Sequence, residues 1–330
     1  METMLTHETA RGVYRHVWDR LLKAERVLLV SPCKPDGDSV GSICGLFHAL
    51  RSMQRHEVVM YCADPMPAQF DRIPGVHDIR IGSESLHRET FDVIVVVDSG
   101  DLAFAGIVDD LPKWRRHGST LIVIDHHATN TFYGDVNCVV RSASTTEAIT
   151  QLLTENGVPM TPSIASALFY GLVYDTDNFS NPATSASACA TAAMLVVAGA
   201  QSWPVFRALY QNKTIGAMKL WGRAFSCIRI HPTWGIATCV LTTEDFATLG
   251  EDASHAEGLS NFLQTVLPVK AVLVLKDRGT GMVRGSLRTV RDDVDLGKLA
   301  EALGGGGHQK ASGFGVRGRL VKRGDRWNVV

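Results

Sequence analysis

Three short, almost wholly apolar segments constrain the fold of this chain most. They lie at residues 26–31, 92–98 and 120–125, and each reaches an aspartate at or shortly after its end. Runs of this length without polar alternation are typical of strands that are buried on both faces. Between them, residues 39–51 have helical periodicity and residues 57–62 predict a further strand. Strands that alternate with helices form a parallel sheet covered by helices on both faces, so we predict an α/β domain of that kind.

The pattern changes near residue 215. Upstream of it, further helices are predicted at residues 144–155, 164–174, 186–200 and 202–210. Downstream, two turn sequences are each flanked by a pair of predicted strands, which is typical of hairpins. The strands are predicted at residues 225–231, 236–241, 269–276 and 282–289. We therefore predict a parallel-sheet domain at 1–185, a helical connection at 186–215 and a smaller α+β domain at 216–330.

Composition excludes several classes of protein. Of the 330 residues, 45% are hydrophobic and 20% are charged, which is ordinary for globular domains and argues against disorder. No apolar run reaches the roughly 18 residues of a membrane span, and the N-terminal segment lacks the apolar block of a secretory signal. The seven cysteines include no Cys-x-x-Cys pair, so reduced thiols are expected. These features predict a cytoplasmic protein without membrane association.

Charge is distributed unevenly along the chain. Residues 266–330 contain thirteen Lys and Arg against six Asp and Glu, a net charge of +7, which leaves −8 for the remainder of a chain whose total is −1. An acidic first part followed by a basic end suits a metal-binding domain followed by a phosphate-binding one. A solvated basic surface would give the same count, so this feature needs support from the motifs.

Acidic and histidine side chains follow the predicted strands. Asp36 and Asp38 come after the first strand, Asp98 ends the middle one, and the segment 125–127 (Asp-His-His) ends the last. Ligands of open α/β sheets bind outside the carboxyl ends of the strands, so these side chains should converge. Clustered carboxylates are costly unless a cation neutralises them, and Asp with His suits Mn²⁺, with Zn²⁺ or Fe²⁺ as alternatives. A single strand-terminal Asp is often only a turn residue, but their joint occurrence favours a metal site.

These segments resemble the motifs of the DHH phosphoesterase family. Four of them match its core motifs: Pro-Asp-Gly-Asp-Ser-Val-Gly-Ser at 35–42, Val-Val-Val-Asp at 95–98, Asp-His-His at 125–127 and Gly-Leu-Val-Tyr-Asp-Thr at 171–176. Ser-Thr-Thr-Glu at 144–147 fits the segment between the third and fourth. Gly-Ser-Leu-Arg at 285–288 and the glycine-rich segment 304–313 resemble the family's DHH-associated C-terminal domain. The most similar subgroup comprises stand-alone RecJ-like enzymes, nanoRNases that also remove the 3′-phosphate of 3′-phosphoadenosine 5′-phosphate (pAp).

The resemblance implies a site for two metal ions, with Mn²⁺ as the expected metal. It assigns Asp36 to the first ion and Asp38, His126 and Asp175 to the second. It makes Asp98 a ligand of both ions and a catalytic residue. Two ions about 3.5–4 Å apart would activate water for in-line attack on phosphorus.

Two further residues of the third motif receive roles from the resemblance. Asp125 would orient its neighbours without binding a metal, as such ligands generally require. His127 would face the phosphate as the catalytic proton donor or charge stabiliser. No Ser or Cys nucleophile is needed.

The C-terminal motifs imply a substrate-binding site. Backbone N–H groups of Gly305, Gly306 and Gly307 would approach a phosphate closely because no Cβ intervenes. His308 would donate beside them, and the residues that follow are predicted to begin a helix. Arg288 would make a bidentate contact with a phosphate or base. A flexible linker is the alternative interpretation of the glycine run.

The sequence departs from the family pattern at a few positions. The first motif normally begins with His, and Pro32 occupies that position, so the first metal site has fewer protein ligands and is expected to be weaker. Cys33 is adjacent, but its side chain should point to the opposite side of an extended segment. Asp177 and Ser180 replace the more usual Gly and Arg, which affects substrate choice more than hydrolysis.

Three functions remain open from the sequence. The leading one is a metal-dependent phosphoesterase that hydrolyses short single-stranded oligonucleotides, the 3′-phosphate of pAp, or both. The second is the same chemistry on cyclic di-AMP or its product pApA. The third is a nucleotide-binding regulatory protein with weak activity, favoured by Pro32. The resemblance is also compatible with a homodimer.

Overall fold

The computed structural model describes residues 3–53, 57–86, 88–181, 184–210, 214–250, 253–256, 258–307, 309–324 and 326–330. The chain forms two compact units, residues 1–212 and 213–330, and each contains a six-stranded sheet. Among the described residues, no helix is long and apolar enough to cross a membrane.

The first unit alternates strands and helices. Its strands are β1 (Arg26–Ser31), β2 (Glu57–Cys62), β3 (Ile79–Ile81), β4 (Phe91–Val97), β5 (Arg115–Asp125) and β6 (Val136–Val139). Its helices are α1 (Arg11–Lys23), α2 (Gly37–Ser52), α3 (Leu111–Trp114), α4 (Thr145–Glu155), α5 (Pro162–Asp175), α6 (Ala186–Val197) and α7 (Ser202–Tyr210). Both α6 and α7, which the sequence places in a connection, pack against α5.

The sheet of the first unit is parallel, as predicted. Its strand order is β3-β2-β1-β4-β5-β6, and every neighbouring pair runs in the same direction. Alternate residues of β1 belong to different cores: Val27 and Leu29 pack on one face, and Leu28 and Val30 on the other. Burial on both faces explains why these strands are apolar without alternation. The carboxyl ends of β1, β4 and β5 therefore lie side by side at one edge of the sheet.

Helices α2 and α5 pack closely over one face of this sheet. The contact depends on small residues, since a Cβ on Gly41 would lie 2.5 Å from the carbonyl oxygen of Ala167. A side chain there would separate the two helices. Their close approach brings the start of α2 and the end of α5 to the same edge as the strand ends.

The second unit is an α+β domain, as predicted. Its strands are β7 (Arg229–His231), β8 (Ile236–Leu241), β9 (Ala271–Asp277), β10 (Met282–Arg288), β11 (Gly306–Gly307), β12 (Ala311–Arg317), β13 (Leu320–Arg323) and β14 (Arg326–Val329). Its helices are α8 (Ile215–Ser226), α9 (Thr243–Leu249), α10 (Leu259–Val266) and α11 (Leu296–Ala302). The main sheet has the order β11-β12-β10-β9-β8-β7, and β13 and β14 form a separate hairpin.

Two local predictions in the second unit are wrong. The strand predicted at 225–231 begins only at Arg229, because α8 continues to Ser226 and buries Ala217, Leu220 and Ala224 at helical spacing. The segment after the glycine run is strand β12 rather than the start of a helix. Its backbone pairs with β10 on one side and β11 on the other, so a sheet position overrides its small-residue composition.

Candidate metal centre

Asp98 lies at the carboxyl end of the central strand β4. Its backbone N–H donates to the carbonyl of Ile124 (2.9 Å), which fixes the residue against β5. Its side chain is almost fully buried, and its backbone is left-handed, with φ of +54°. A non-glycine residue in this conformation is uncommon and is found preferentially at functional sites. The carboxylate is thus held at the sheet edge by a backbone that carries some strain.

Asp38 is held at the beginning of α2 by the beginning of α4. The buried carboxylate accepts hydrogen bonds from the backbone N–H groups of Thr145 (2.6 Å) and Thr146 (2.9 Å), and from the Thr146 hydroxyl (2.7 Å). The Thr145 hydroxyl reaches Asp98 as well (3.1 Å). The first N–H groups of a helix have no partner within the helix and favour an anion. The N-terminus of α4 therefore orients two of the carboxylates.

His126 lies between the carboxylates that converge at this edge. Its Nε2 is 3.3 Å from Asp175 at the end of α5 and 3.6 Å from Asp98, while Nδ1 is 3.3 Å from the carbonyl oxygen of Ser142. Ligand atoms of Asp38, His126 and Asp175 lie within 4.8 Å of one another, as do those of Asp98, His126 and His127. Either group could hold a metal ion, and His126 belongs to both.

Asp125 and Asn130 fix the orientation of His127. The fully buried Asp125 accepts from Nδ1 of His127 (2.7 Å), from the His126 backbone (2.8 Å) and from the Asn130 amide (2.6 Å). Burial acts to raise the pKa of Asp125, but the hydrogen bonds from His127 and Asn130 outweigh it and lower that pKa below its usual range. The hydrogen bond to Asp125 also raises the pKa of His127. Because Nδ1 is engaged, Nε2 is the ring nitrogen left for a ligand or substrate.

The electrostatics of the cluster favour a bound cation. Burial, followed by repulsion from Asp38 and Asp36, raises the pKa values of Asp98 and Asp175 well above their usual range. Burial also raises the pKa of Asp38. Carboxylates packed this closely either retain protons or bind a positive ion. Asp and His oxygen and nitrogen atoms are a donor set that suits divalent transition metals.

Asp36 has a different position from the other acids. Its carboxylate caps α2, accepting from the backbone N–H groups of Asp38 (3.0 Å) and Ser39 (2.9 Å). It belongs to neither group of mutually close ligand atoms. Its charge nevertheless raises the pKa of Asp98. Its role as a ligand of the first ion therefore stays a prediction.

Cys33 is turned toward another part of the first unit. A methyl group on Gly106 would collide with the Cys33 sulfur, so the thiol packs against that turn. Burial and the nearby Asp64 raise the pKa of Cys33, which disfavours the thiolate form that binds metals. Neither observation supports Cys33 as a substitute for the metal ligand that is missing at Pro32.

Gly171 on α5 allows the carboxylate network to form. A Cβ at this position would lie 2.9 Å from Oδ1 of Asp38 and from Oγ1 of Thr146, and closer still to Cγ2 of Thr146. Only a residue without a side chain leaves room for the Asp38–Thr146 hydrogen bond beside α5.

The predicted substrate residues lie in the second unit. Arg288 ends β10, where its Nε donates to Asn261 (2.6 Å) and a terminal nitrogen donates to the Leu287 carbonyl (2.8 Å); burial lowers its pKa. Gly306 and Gly307 form the edge strand β11, and a Cβ on Gly305 would collide with the backbone of β12. The glycine run is therefore an ordered edge rather than a flexible linker. His308 lies outside the described residues.

Sequence reasoning missed three residues that shape the centre. It identified the segment 144–147 as a motif but gave Thr145 and Thr146 no role, since their contacts with the acids come partly from the backbone. Asn130 carried no signal, because a loop Asn five residues after Asp125 is ordinary. The residue Asp177 has φ of +47°, which explains why glycine is the more usual residue there.

Comparison with protein families identifies both units. Residues 26–172 match the model described as the DHH family, N-terminal domain, and residues 238–324 match the DHHA1 domain. Together the two models match more than two thirds of the chain.

Two relatives match this chain over most of their length, and a third over less than half of its length. The bifunctional oligoribonuclease and PAP phosphatase NrnA of Thermus thermophilus is 28% identical over 297 residues, which is 88% of this chain and 84% of that protein. The protein of the same name from Bacillus subtilis is 26% identical over 296 residues, covering 88% and 90%. The cyclic-di-AMP phosphodiesterase GdpP of Geobacillus thermodenitrificans is 26% identical over 325 residues, 92% of this chain but 46% of that protein.

A solved structure supports the fold. An exopolyphosphatase-related protein from Bacteroides fragilis superimposes with a TM-score of 0.83 at 24% identity, covering 92% of this chain and 91% of that one. RecJ of Thermus thermophilus, solved with Mn²⁺, has a TM-score of 0.51 at 16% identity, covering 92% of this chain and 51% of that one.

Proposed function

Because the chain belongs to the DHH phosphoesterase family and carries a DHHA1 domain, we propose that it hydrolyses short oligoribonucleotides, the 3′-phosphate of pAp, or both. The observation that carries this proposal is the convergence of Asp38, Asp98, His126 and Asp175 at one edge of the parallel sheet. The names of the relatives from Thermus thermophilus and Bacillus subtilis indicate the substrate class.

Two Mn²⁺ ions are proposed as the cofactor. Asp38, His126 and Asp175 would hold one ion, Asp36 the other, and Asp98 both. The raised pKa values of the buried acids support a cation here, since a positive charge relieves their repulsion. Bound ions would supply Lewis acidity to the phosphate and lower the pKa of an attacking water.

The remaining residues would position groups and move a proton. His127 is 43% exposed, so a substrate can reach it, and Asp125 holds its ring in one orientation. The raised pKa of His127 favours the protonated ring, which would donate from Nε2 to the departing oxygen. Thr145 and Thr146 would keep Asp38 in place by occupying its oxygens.

The second unit would bind the rest of the substrate. Arg288 has no carboxylate partner among the residues that the structure describes, and its guanidinium would contact a phosphate or base. Gly306 and Gly307 would present backbone N–H groups beside it, with His308 as a further donor. The N–H of Gly305, which the sequence also predicted to face a phosphate, donates instead to the carbonyl of Ala300 (2.8 Å). A homodimer and a cytoplasmic location remain parts of the proposal.

A cyclic di-AMP or pApA phosphodiesterase is the second candidate. It is supported by the similarity to GdpP, but this chain spans less than half of that protein. A weakly active nucleotide-binding protein is the third candidate, because Pro32 removes one expected metal ligand.

A substrate panel separates the candidates. Purified protein with Mn²⁺ would be given pAp, RNAs of two to 24 nucleotides, pApA and cyclic di-AMP, with products separated by chromatography. We expect turnover of pAp or of the shortest RNAs to exceed that of cyclic di-AMP. Preference for cyclic di-AMP would favour the second candidate, and binding without turnover of any substrate would favour the third.

A further inference from the structure

The residues before α1 lie against the loop that follows β6. Leu5 pairs with Val140 in a single parallel bridge. Its backbone N–H donates to the Val139 carbonyl (2.9 Å), and its carbonyl accepts from the N–H of Arg141 (2.7 Å). Val140 in turn donates from its N–H to the carbonyl of Asp125 (2.9 Å), in the Asp-His-His segment of the metal centre. The N-terminal segment is therefore separated from that segment by a single stretch of backbone.

His7 reaches from this segment to a buried carboxylate. Its Nε2 lies 3.4 Å from Oε1 of Glu147, which is fully buried on α4, and its Nδ1 lies 2.9 Å from the hydroxyl of Tyr14. Burial raises the pKa of Tyr14, so the hydroxyl keeps its proton and donates it to Nδ1. The imidazole ring therefore presents an N–H at Nε2 to the carboxylate of Glu147.

The charge of Glu147 depends on its partners. Burial acts to raise the pKa of Glu147, but interactions with His7, Ser187 and the backbone of Ala143 outweigh it and lower that pKa. The carboxyl group is therefore ionised at neutral pH. Among these three partners, only the imidazole of His7 can carry a positive charge. Removal of one partner from a buried pair is costly, because the remaining charge is left uncompensated.

One peptide unit joins Glu147 to a candidate metal ligand. Oε2 of Glu147 accepts from the backbone N–H of Ala143 (2.7 Å), and the carbonyl oxygen of Ser142 lies 3.3 Å from Nδ1 of His126. This N–H and this carbonyl belong to the same planar trans peptide, so they point in opposite directions and turn together. A carboxylate that holds the N–H therefore also holds the carbonyl toward His126.

The Ser142 carbonyl determines which nitrogen of His126 can bind a metal. A carbonyl oxygen only accepts hydrogen bonds, so Nδ1 carries the proton, and the lone pair of Nε2 faces Asp98 and Asp175. Histidines that bind metals generally donate their other ring N–H to such a partner, and loss of a partner of this kind lowers metal affinity about 10–100-fold.

We propose that His7 is a positioning residue of the metal centre. It holds the charged carboxylate of Glu147 in its buried position, and Glu147 fixes the peptide between residues 142 and 143. The carbonyl of that peptide then orients the ring of His126, and Leu5 supports the same loop through its backbone. The inference rests on the proposed function in one respect, that His126 binds a metal ion. The contacts between His7 and His126 can be tested without it.

Hydrogen exchange tests these contacts without metal or substrate. Exchange of the Ala143 amide would be followed by NMR in EDTA at pH 8. We expect His7→Leu to accelerate this exchange about tenfold or more, because Glu147 then moves toward water and releases the N–H. In His7→Leu/Glu147→Gln the exchange should return nearly to the wild-type rate, since a neutral amide needs no charged partner and its oxygen still accepts. His16→Leu, the same change at an exposed histidine of α1, should have no effect.

The affinity for Mn²⁺ tests the consequence for the metal centre. Free Mn²⁺ would be measured by electron paramagnetic resonance at the same pH. His7→Leu should weaken Mn²⁺ binding about tenfold, the low end of the range for groups that orient a metal ligand, because His7 acts through Glu147. The double variant should bind Mn²⁺ within about threefold of wild type. General destabilisation by the loss of His7 would not be rescued in this way.

Three results would overturn the proposal. Unchanged exchange of the Ala143 amide in His7→Leu, at any Mn²⁺ affinity, would show that His7 does not hold the peptide. Faster exchange with unchanged Mn²⁺ affinity would show that the peptide does not orient His126. Equal losses in His7→Leu and in the double variant would show that the imidazole acts by packing and not through the charge of Glu147.

A second pair of variants covers a failure of His7→Leu to fold. Glu147→Ala removes the acceptor of the Ala143 N–H and should weaken Mn²⁺ binding about tenfold, whereas Glu147→Gln keeps the acceptor and should weaken it less than about threefold. Equal Mn²⁺ affinities of these two variants would contradict the proposal. Absence of Mn²⁺ binding by wild type would reject the proposed cofactor, and the exchange rates would still decide whether His7 fixes the peptide.

Discussion

Replacing Gly171 by Ala should damage the metal centre without touching a metal ligand. The new Cβ would lie 2.9 Å from Oδ1 of Asp38 and would collide with the side chain of buried Thr146. Thr146 cannot rotate away freely, because its hydroxyl donates to Asp38 (2.7 Å). Overpacking costs roughly 1–3 kcal/mol, and better helix propensity offsets about 1 kcal/mol of that.

The net effect on stability and activity can be measured separately. Because the Cβ would lie only 2.4 Å from Cγ2 of Thr146, we take the upper end of the overpacking cost, about 3 kcal/mol, which leaves a net loss of about 2 kcal/mol in the free energy of unfolding. That loss corresponds to a fall in melting temperature of roughly 4–8 °C for a unit of this size. Displacement of the Asp38 carboxylate should also reduce kcat on bis(p-nitrophenyl) phosphate by about tenfold or more. Circular dichroism melting and steady-state kinetics at saturating Mn²⁺ give the two values.

Gly12 provides the matched control. It is an exposed residue of α1, and a Cβ there would meet no atom within 4 Å. Gly12→Ala should therefore raise stability by about 0.5–1 kcal/mol and leave kcat unchanged. If Gly171→Ala matches Gly12→Ala in both stability and kcat, the packing argument for the Asp38 network is wrong.

Four further predictions concern the same centre. Asp98→Ala should reduce kcat to below a few per cent of wild type in a folded protein, and higher retained activity would contradict its proposed role as a ligand of both ions. Asn130→Ala should lower kcat and cost about 1–3 kcal/mol in urea unfolding, because it leaves a buried oxygen of Asp125 without its donor; unchanged values would remove Asn130 from the centre. The pKa values of Asp98 and Asp175 are raised in the fold, so protonation of these carboxyl groups stabilises the metal-free protein at low pH, and this stabilisation is lost as the pH rises and the groups ionise. The increase in melting temperature on replacing EDTA by Mn²⁺ should therefore be larger at pH 7.5 than at pH 5.5, and an equal increase at both values would contradict this reasoning. Pro32→His should lower the Mn²⁺ concentration needed for half-maximal activity, and an unchanged requirement would mean that the first ion already has its ligands.

The positions of the acids follow from the sequence for a topological reason. Apolar runs without alternation predict parallel strands, and neighbouring parallel strands have their carboxyl ends at the same edge of the sheet. Asp38, Asp98 and His126 are therefore brought together independently of the conformation of the loops. Asp175 could be placed only through the resemblance to the family, because it ends a helix and has no strand signal.

What the sequence could not predict depends on the backbone and on tertiary contacts. Asp36 caps α2 with its carboxylate, a geometry that no residue pattern distinguishes from metal binding. Backbone N–H groups of Thr145 and Thr146 hold Asp38, and every residue type except proline supplies such a group. The wrong prediction of a helix after the glycine run has the same origin. The small residues of β12 are compatible with either a helix or a strand, and pairing with β10 and β11 makes the segment a strand.

Simultaneous titration of metal binding and turnover tests the central claim most directly. Chelated wild-type protein would receive Mn²⁺ in steps, with bound ions counted by electron paramagnetic resonance and hydrolysis of pAp and diadenylate measured in the same samples. We predict no turnover without metal, a rise in turnover as the sites fill, and loss of both bound Mn²⁺ and turnover in Asp98→Ala. Turnover by the chelated protein, or full Mn²⁺ binding without hydrolysis of either substrate, would contradict the assignment of this centre as a metal-dependent phosphoesterase site.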